Sequence, residues 1–219
     1  VRCVEETARD PRLYLNVLYN GATWLKQRVE TNVGGLHTGM DGATKTGYYL
    51  RKHMNAQVSL NPVSPLGKEH HFPLFRYAEI LLNYAEAMYH WVGEDTKPTG
   101  YPYSAREALN LVRDCAEMKH VEETGNAFLE KLRNERRIEL AFEDHRFWDI
   151  RRWKTGEVVK NIYGVRITGT DTNFTYSKVL VRQNQWDDKM YLFPFPQEEL
   201  YMNENLVCLL YTSPSPRDS

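Results

Sequence analysis

Paired α-helices interrupted by short strand and loop excursions are the fold that this sequence predicts, a mainly α class resting on three observations. The first is a run of Tyr77, Ile80, Leu81, Tyr84, Ala85, Met88 and Trp91 at three-and-four spacing, which places these residues on one face of a helix of about five turns. The second follows a break from Gly93 to Pro102. Ser104 is suited to cap a helix carrying Ala105, Ala108, Leu109, Val112 and Ala116 on one face, and the two helices are expected to pair antiparallel. The third is a helix from about Ala127 to Phe142 that runs on, with or without a bend, through His145 to Trp153.

Strands are expected on either side. Residues 1–60 lack helical periodicity, and the alternation of Leu13, Leu15, Val17 and Tyr19 with glycine turns from Gly34 to Gly47 predicts short strands. The Asn61 to Gly67 stretch, with Pro62 and Pro65, is a loop because proline fixes φ and lacks an amide donor. Residues 157–193 alternate apolar and polar residues around Val158, Ile162, Val165, Ile167, Phe174, Val179 and Val181, as in a hairpin or small sheet. Phe193-Pro194-Phe195-Pro196 must be extended, and Gln197 to Leu200 reads as the first turn of a last helix with carboxylates near its positive end. From about Cys208 the composition changes abruptly, and residues 208–219 are similar to a translated sequencing-adapter tail, which the expected layout treats as a non-native extension.

The 28 basic and 29 acidic side chains leave a net charge of −1, so no global field favours nucleic acid or an anionic membrane. With 42% hydrophobic and 26% charged residues the chain has the composition of a folded globular protein, and it has no apolar run of the ~20 residues that span a bilayer. Cys3, Cys115 and Cys208 are odd in number and widely spaced, which reads as unpaired thiols.

Chemistry-bearing residues concentrate at 135–152. Glu135, Arg136, Glu139, Glu143, Arg146, Asp149 and Arg152 alternate in charge, with opposite signs three apart at Arg136/Glu139, Glu143/Arg146, Arg146/Asp149 and Asp149/Arg152. Neighbouring cations hold such carboxylates ionised, so the expected role is a structural ion-pair network, not the acid and nucleophile of a glycosidase. His37, His53, His70 and His71 lack metal-ligand spacing and are read as loop histidines. No nucleophile elbow, phosphate loop or dinucleotide fingerprint occurs, and no cofactor or metal is expected. Sugar binding needs flat apolar faces. Trp24, in the loop-rich region, and Tyr48, one of a Tyr48-Tyr49 pair that would face opposite ways on a strand, are the candidate ligand-binding residues, whereas Trp91, Trp148 and Trp153 on helices are expected to pack in the core.

Three segments together resemble the SusD/RagB family of Bacteroidota: Phe72-Pro73-Leu74-Phe75-Arg76-Tyr77 continuing to Ala87, Leu132-Arg133-Asn134-Glu135-Arg136-Arg137 continuing to Trp153, and Leu192-Phe193-Pro194-Phe195-Pro196 continuing to Leu200. Asp10-Pro11-Arg12-Leu13, Asn20 to Trp24 and Gly47 to Lys52 extend the resemblance over nearly everything up to Leu206. It implies tetratricopeptide-like helix pairs, with a strand and loop region at 1–71 and a helical region at 72–207 that contains the 157–193 excursion. It also implies that this is the C-terminal portion of a family member, with the lipid-anchoring cysteine upstream and Cys3 not the anchor. The implied role is non-catalytic capture of oligosaccharides at the outer-membrane surface for a SusC-like TonB-dependent transporter. Two rivals remain open. A glycoside hydrolase would use carboxylates within 135–149, and a tetratricopeptide-like scaffold would bind only protein partners.

Overall fold

A computed structural model of the chain describes residues 9–59, 61–170 and 173–202. The adapter-like stretch, Cys3 and Cys208 lie outside the described residues. The chain divides into two compact units, one of residues 1–146 with 163–181, the other of 147–162 with 182–219.

The first unit is built on three helices: α2 (Tyr77–Val92), α3 (Ala105–Cys115) and α4 (Gly125–Glu139). Leu82, Ala85, Ala105, Ala108, Leu109, Phe128 and Leu132 are wholly buried between them. The small side chains at 85, 105 and 108 let the α2 and α3 backbones approach, and each large residue sealed there contributes ~1.5–3 kcal/mol. Helix α3 starts at the expected residue. The Ser104 hydroxyl accepts from the Glu107 amide at 3.1 Å while the Glu107 carboxylate accepts from the Ser104 amide at 2.7 Å, a reciprocal capping box worth ~1 kcal/mol. Helix α2 ends at Gly93, whose φ of 88° suits glycine alone. The helical pairing and mainly α character agree with the expectation.

The apolar set on α2 does not form one face. Leu81, Leu82, Ala85 and Met88 are buried, while Tyr77, Ile80 and Trp91 remain exposed on a second stripe, where Trp91 meets Tyr101 edge-on at 5.3 Å. The third helix also departs from expectation. It stops at Glu139, and a separate helix, α5 (His145–Arg152), follows a turn in which Phe142 and Asp144 take φ of 64° and 62°. No glycine or proline marks that turn. Its cause is long-range: the Arg76 guanidinium and the Lys52 ammonium both donate to the Glu139 carbonyl, at 2.5 and 3.2 Å, placing two cations on the negative end of α4.

Before the helices lie α1 (Arg12–Asn16) and four two-residue strands, β1 (Val17–Leu18), β2 (Thr23–Trp24), β3 (Gln27–Arg28) and β4 (Tyr49–Leu50). β1 pairs antiparallel with β4, and β2 with β3. Leu18, Ala22 and Val29 form a small core of their own, with Tyr19, Trp24 and Tyr49 packed on it. The expected later excursion is a hairpin of β5 (Asn161–Thr170) and β6 (Asn173–Gln183). Its Val165 amide donates to the Thr46 carbonyl at 2.9 Å. Gly47 is obligatory there, since a Cβ would meet the Val165 carbonyl oxygen at 2.7 Å and φ is +84°.

In the second unit, α5 and α6 (Gln197–Met202) flank two 3₁₀ turns. Arg151 lies 3.6 Å from the Phe147 ring centroid, and Phe147, Trp148 and Phe193 form a cluster with centroids 5.2–5.9 Å apart. Trp186 closes on Gly156 so tightly that a Cβ there would lie 1.8 Å from the ring. The expectation of buried helical tryptophans fails for Trp91 and Trp148, both 59% exposed. Each sits on the side of its helix turned away from the buried residues, Leu82 and Ala85 in one case and Ile150 in the other.

Candidate functional site

Two features gather the chemistry-bearing residues of the first unit: an ion-pair junction and an aromatic-walled pocket.

The junction is centred on α4. Glu135, whose side chain is 1% exposed, accepts from Arg12 and from Arg113 of α3, both at 2.5 Å. Arg12 also holds Asp10 and Glu139, each at 2.6 Å. Arg76, just ahead of α2, donates to Glu139 at 2.6 Å and to Glu143 at 2.7 Å, and Lys52 reaches Glu143 at 2.5 Å. Burial pushes the Glu139 and Glu143 carboxyls up, yet hydrogen bonds and charge from Arg76, Arg12 and Lys52 outweigh it and hold both below the usual range. Asp10 is lowered in the same way, burial being overcome by Arg12.

The carboxylates at 135, 139 and 143 thus pair with cations brought from α1, α3 and the segments around Lys52 and Arg76. Of the local pairs expected three residues apart, Asp149 with Arg152 forms at 3.0 Å, while the Arg136 guanidinium donates to the Asn83 side chain at 2.7 Å. A proton donor for glycoside cleavage needs a raised pKa facing open space, and Glu139 and Glu143 have the opposite environment. A surface groove at 95–120 also carries carboxylates. Asp95 is bound to Arg106, Glu107 to the α3 cap and Asp114 to His120.

The pocket, of about 430 Å³, is lined by residues from 18 to 54, including Trp24, Leu25, Arg28, His37, Met40, Asp41, Tyr49 and Met54. Its wall is the β2–β3 hairpin, in register with Trp24 opposite Gln27 and Thr23 opposite Arg28. The two-residue tip, Leu25-Lys26, has φ of 50° and 65°. Such a turn favours Asn-Gly, and holding a leucine and a lysine there costs on the order of 1 kcal/mol each. The opposite wall is pinned by Tyr49, whose hydroxyl donates to the His37 carbonyl at 2.9 Å and accepts from the Thr44 amide at 3.2 Å. His37 Nδ1 accepts from the Glu30 amide at 3.1 Å, so the neutral ring carries its proton on Nε2 as a donor.

Trp24 therefore lines a cavity. Tyr48 is not among the lining residues; its neighbours Tyr49 and Leu50, the two residues of β4, are. Arg28, His37 and Asp41 escaped sequence reading as pocket residues. The local signal was two alternating dipeptides around a two-residue gap, obscured by the absence of a glycine. Among the described residues no group of three or more His, Cys, Asp or Glu side chains is arranged to hold a metal, and no helix is long and apolar enough to cross a membrane.

Tetratricopeptide-like helix pairs locked to a strand-and-loop segment through a charged junction define the structural class. The chain belongs to the SusD family, whose model matches residues 4–209. It is 32% identical over 136 residues to the SusD-like protein P2 of Formosa agariphila, a match covering 60% of this chain and 24% of that relative. A crystal structure of a SusD-like protein from Bacteroides fragilis superposes with a TM-score of 0.74 at 29% identity, over 91% of this chain and 38% of that one. The chain thus spans less than half the length of these relatives.

Proposed function

We propose that this chain is part of a non-catalytic nutrient-capture protein that holds an oligosaccharide and passes it to a SusC-like TonB-dependent transporter. The polypeptide sits at the cell surface, tied to the outer membrane by a lipidated cysteine. Membership of the SusD family supports the role in glycan uptake. The observation that carries the reading is Trp24 in the wall of a cavity large enough for a sugar ring, with Met40, Met54 and Leu25 beside it and Arg28, Asp41 and Gln27 on hand for hydroxyl groups. Tyr48 serves as an outlying contact, outside the cavity itself.

The engaged state of Glu135, Glu139 and Glu143 supports binding over hydrolysis. Titration calorimetry with a panel of oligosaccharides is expected to give binding that Trp24→Ala weakens about tenfold or more, as loss of an aromatic stacking face implies. Unchanged affinity in Trp24→Ala, or accumulation of reducing ends during the titration, would overturn the proposal. The exposed Tyr77, Ile80 and Trp91 stripe favours the scaffold alternative, which predicts protein partners and no glycan binding.

A further inference from the structure

Resting on the reading of the Trp24 pocket as a glycan site, we infer that this pocket selects an anionic sugar, one bearing a carboxylate or sulfate, through the guanidinium of Arg28.

Arg28 differs from four other arginines of the first unit. Arg12, Arg76, Arg106 and Arg113 each hold a carboxylate. Arg28 is exposed, lines the cavity, and takes part in no side-chain hydrogen bond or ion pair among the described residues. β3 pairing places it opposite Thr23, one residue from Trp24, and its Nη2 lies 3.6 Å from where a Cβ on Gly21 would stand. An unpaired guanidinium in the lining of the same cavity as the Trp24 indole supplies a planar donor fork in a site that also offers a stacking face. That is the pairing needed by a ring whose carboxylate or sulfate projects from its edge.

The remaining polar groups fit the same ligand. His37 Nε2–H is a second donor, since Nδ1 is occupied by the Glu30 amide. Asp41, the one carboxylate among the lining residues, forms no ion pair among the described residues and can accept from hydroxyl groups away from the anionic edge. Lys26, exposed at the hairpin tip, adds positive charge near the mouth. With a neutral sugar bound, the exposed Arg28 guanidinium keeps only water as its partner and makes no charge-assisted hydrogen bond. An anionic one supplies it.

The test is calorimetry on the intact chain with matched probes: oligogalacturonate, its methyl ester, which keeps the ring and removes the charge, a sulfated galacto-oligosaccharide and its desulfated form. Wild type is expected to bind the charged member of at least one pair about ten- to hundredfold more tightly, the size of a charge-assisted hydrogen bond, and to lose that advantage as salt is raised. Arg28→Gln should bring charged and neutral forms to equal affinity while neutral binding persists, which also serves as a control for folding. Arg28→Lys should restore part of the preference, and Trp24→Ala should weaken both forms. Preference for the carboxylate pair or the sulfate pair assigns the anion. Equal affinity for charged and neutral forms in wild type, with both lost in Trp24→Ala, would refute the selection by Arg28 and leave the glycan pocket standing. No binding of any probe refutes both.

Discussion

Glu135→Gln removes one charge from the centre of the junction without changing the side chain's size. In the native protein that carboxylate is buried against Arg12 and Arg113, and each guanidinium lies within 2.5 Å of one of its oxygens. Breaking a buried pair by removing one partner costs about 3–5 kcal/mol, mostly because a cation is left uncompensated. Arg12 keeps Asp10 and Glu139, and Arg113 keeps the Lys119 carbonyl at 2.6 Å, which places the loss at the lower end, about 3 kcal/mol. At about 2–4 °C per kcal/mol for a chain of this size, the melting midpoint should fall by about 6–12 °C. Urea titration should show the same loss as a lower midpoint with an unchanged slope. If Glu135→Gln melts within a degree of wild type, the residue is not a strut. If it also abolished a sugar-cleaving activity, the catalytic reading of 135–149 would replace the one argued above.

Other outcomes follow from the same geometry. Because Asp10, Glu139 and Glu143 have lowered carboxyl pKa values in the folded state, their contribution is complete above the ordinary carboxylate range and is lost as pH falls through and below it. Stability should therefore be flat from about pH 7 to 5 and decline below about 4.5, and equal urea midpoints at about pH 3.5 and 7 would contradict the network. Phe128→Ala, at a wholly buried residue stacked on Tyr89 at 5.5 Å, should cost about 3–5 kcal/mol by thermal melt, whereas Ile80→Ser on the exposed stripe of α2 should stay within about 0.5 kcal/mol. Replacing Leu25-Lys26 by Asn-Gly should stabilise the chain by about 1 kcal/mol, since both residues occupy the left-handed region; no gain would mean that the tip is unstrained.

Local order was legible in the residues themselves. Ser104 with Glu107 three positions on marks the start of α3, and the Phe193-Pro194-Phe195-Pro196 run marks an extended approach to α6, because caps and prolines act on their own backbone neighbours. The end of α4 was not legible. Phe142 and Asp144 are poor residues for positive φ, and what bends the chain there is Arg76 and Lys52, 63 and 87 positions away from the Glu139 carbonyl. The charged run shows a similar split: its alternation predicted pairing, but the partners of Glu135, Glu139 and Glu143 come from Arg12, Lys52, Arg76 and Arg113.

The amino-acid order alone therefore determined the mainly helical class, the start of α3 at its Ser104 cap and Trp24 as a residue to watch. Tertiary structure alone decided which cations meet those carboxylates, that Tyr49 and not Tyr48 lines the cavity, and that Arg28 lines the same cavity as Trp24. The reason is range: capping and periodicity act within about four residues along the chain, whereas a salt bridge or a pocket wall depends on segments that only folding brings within a few ångströms.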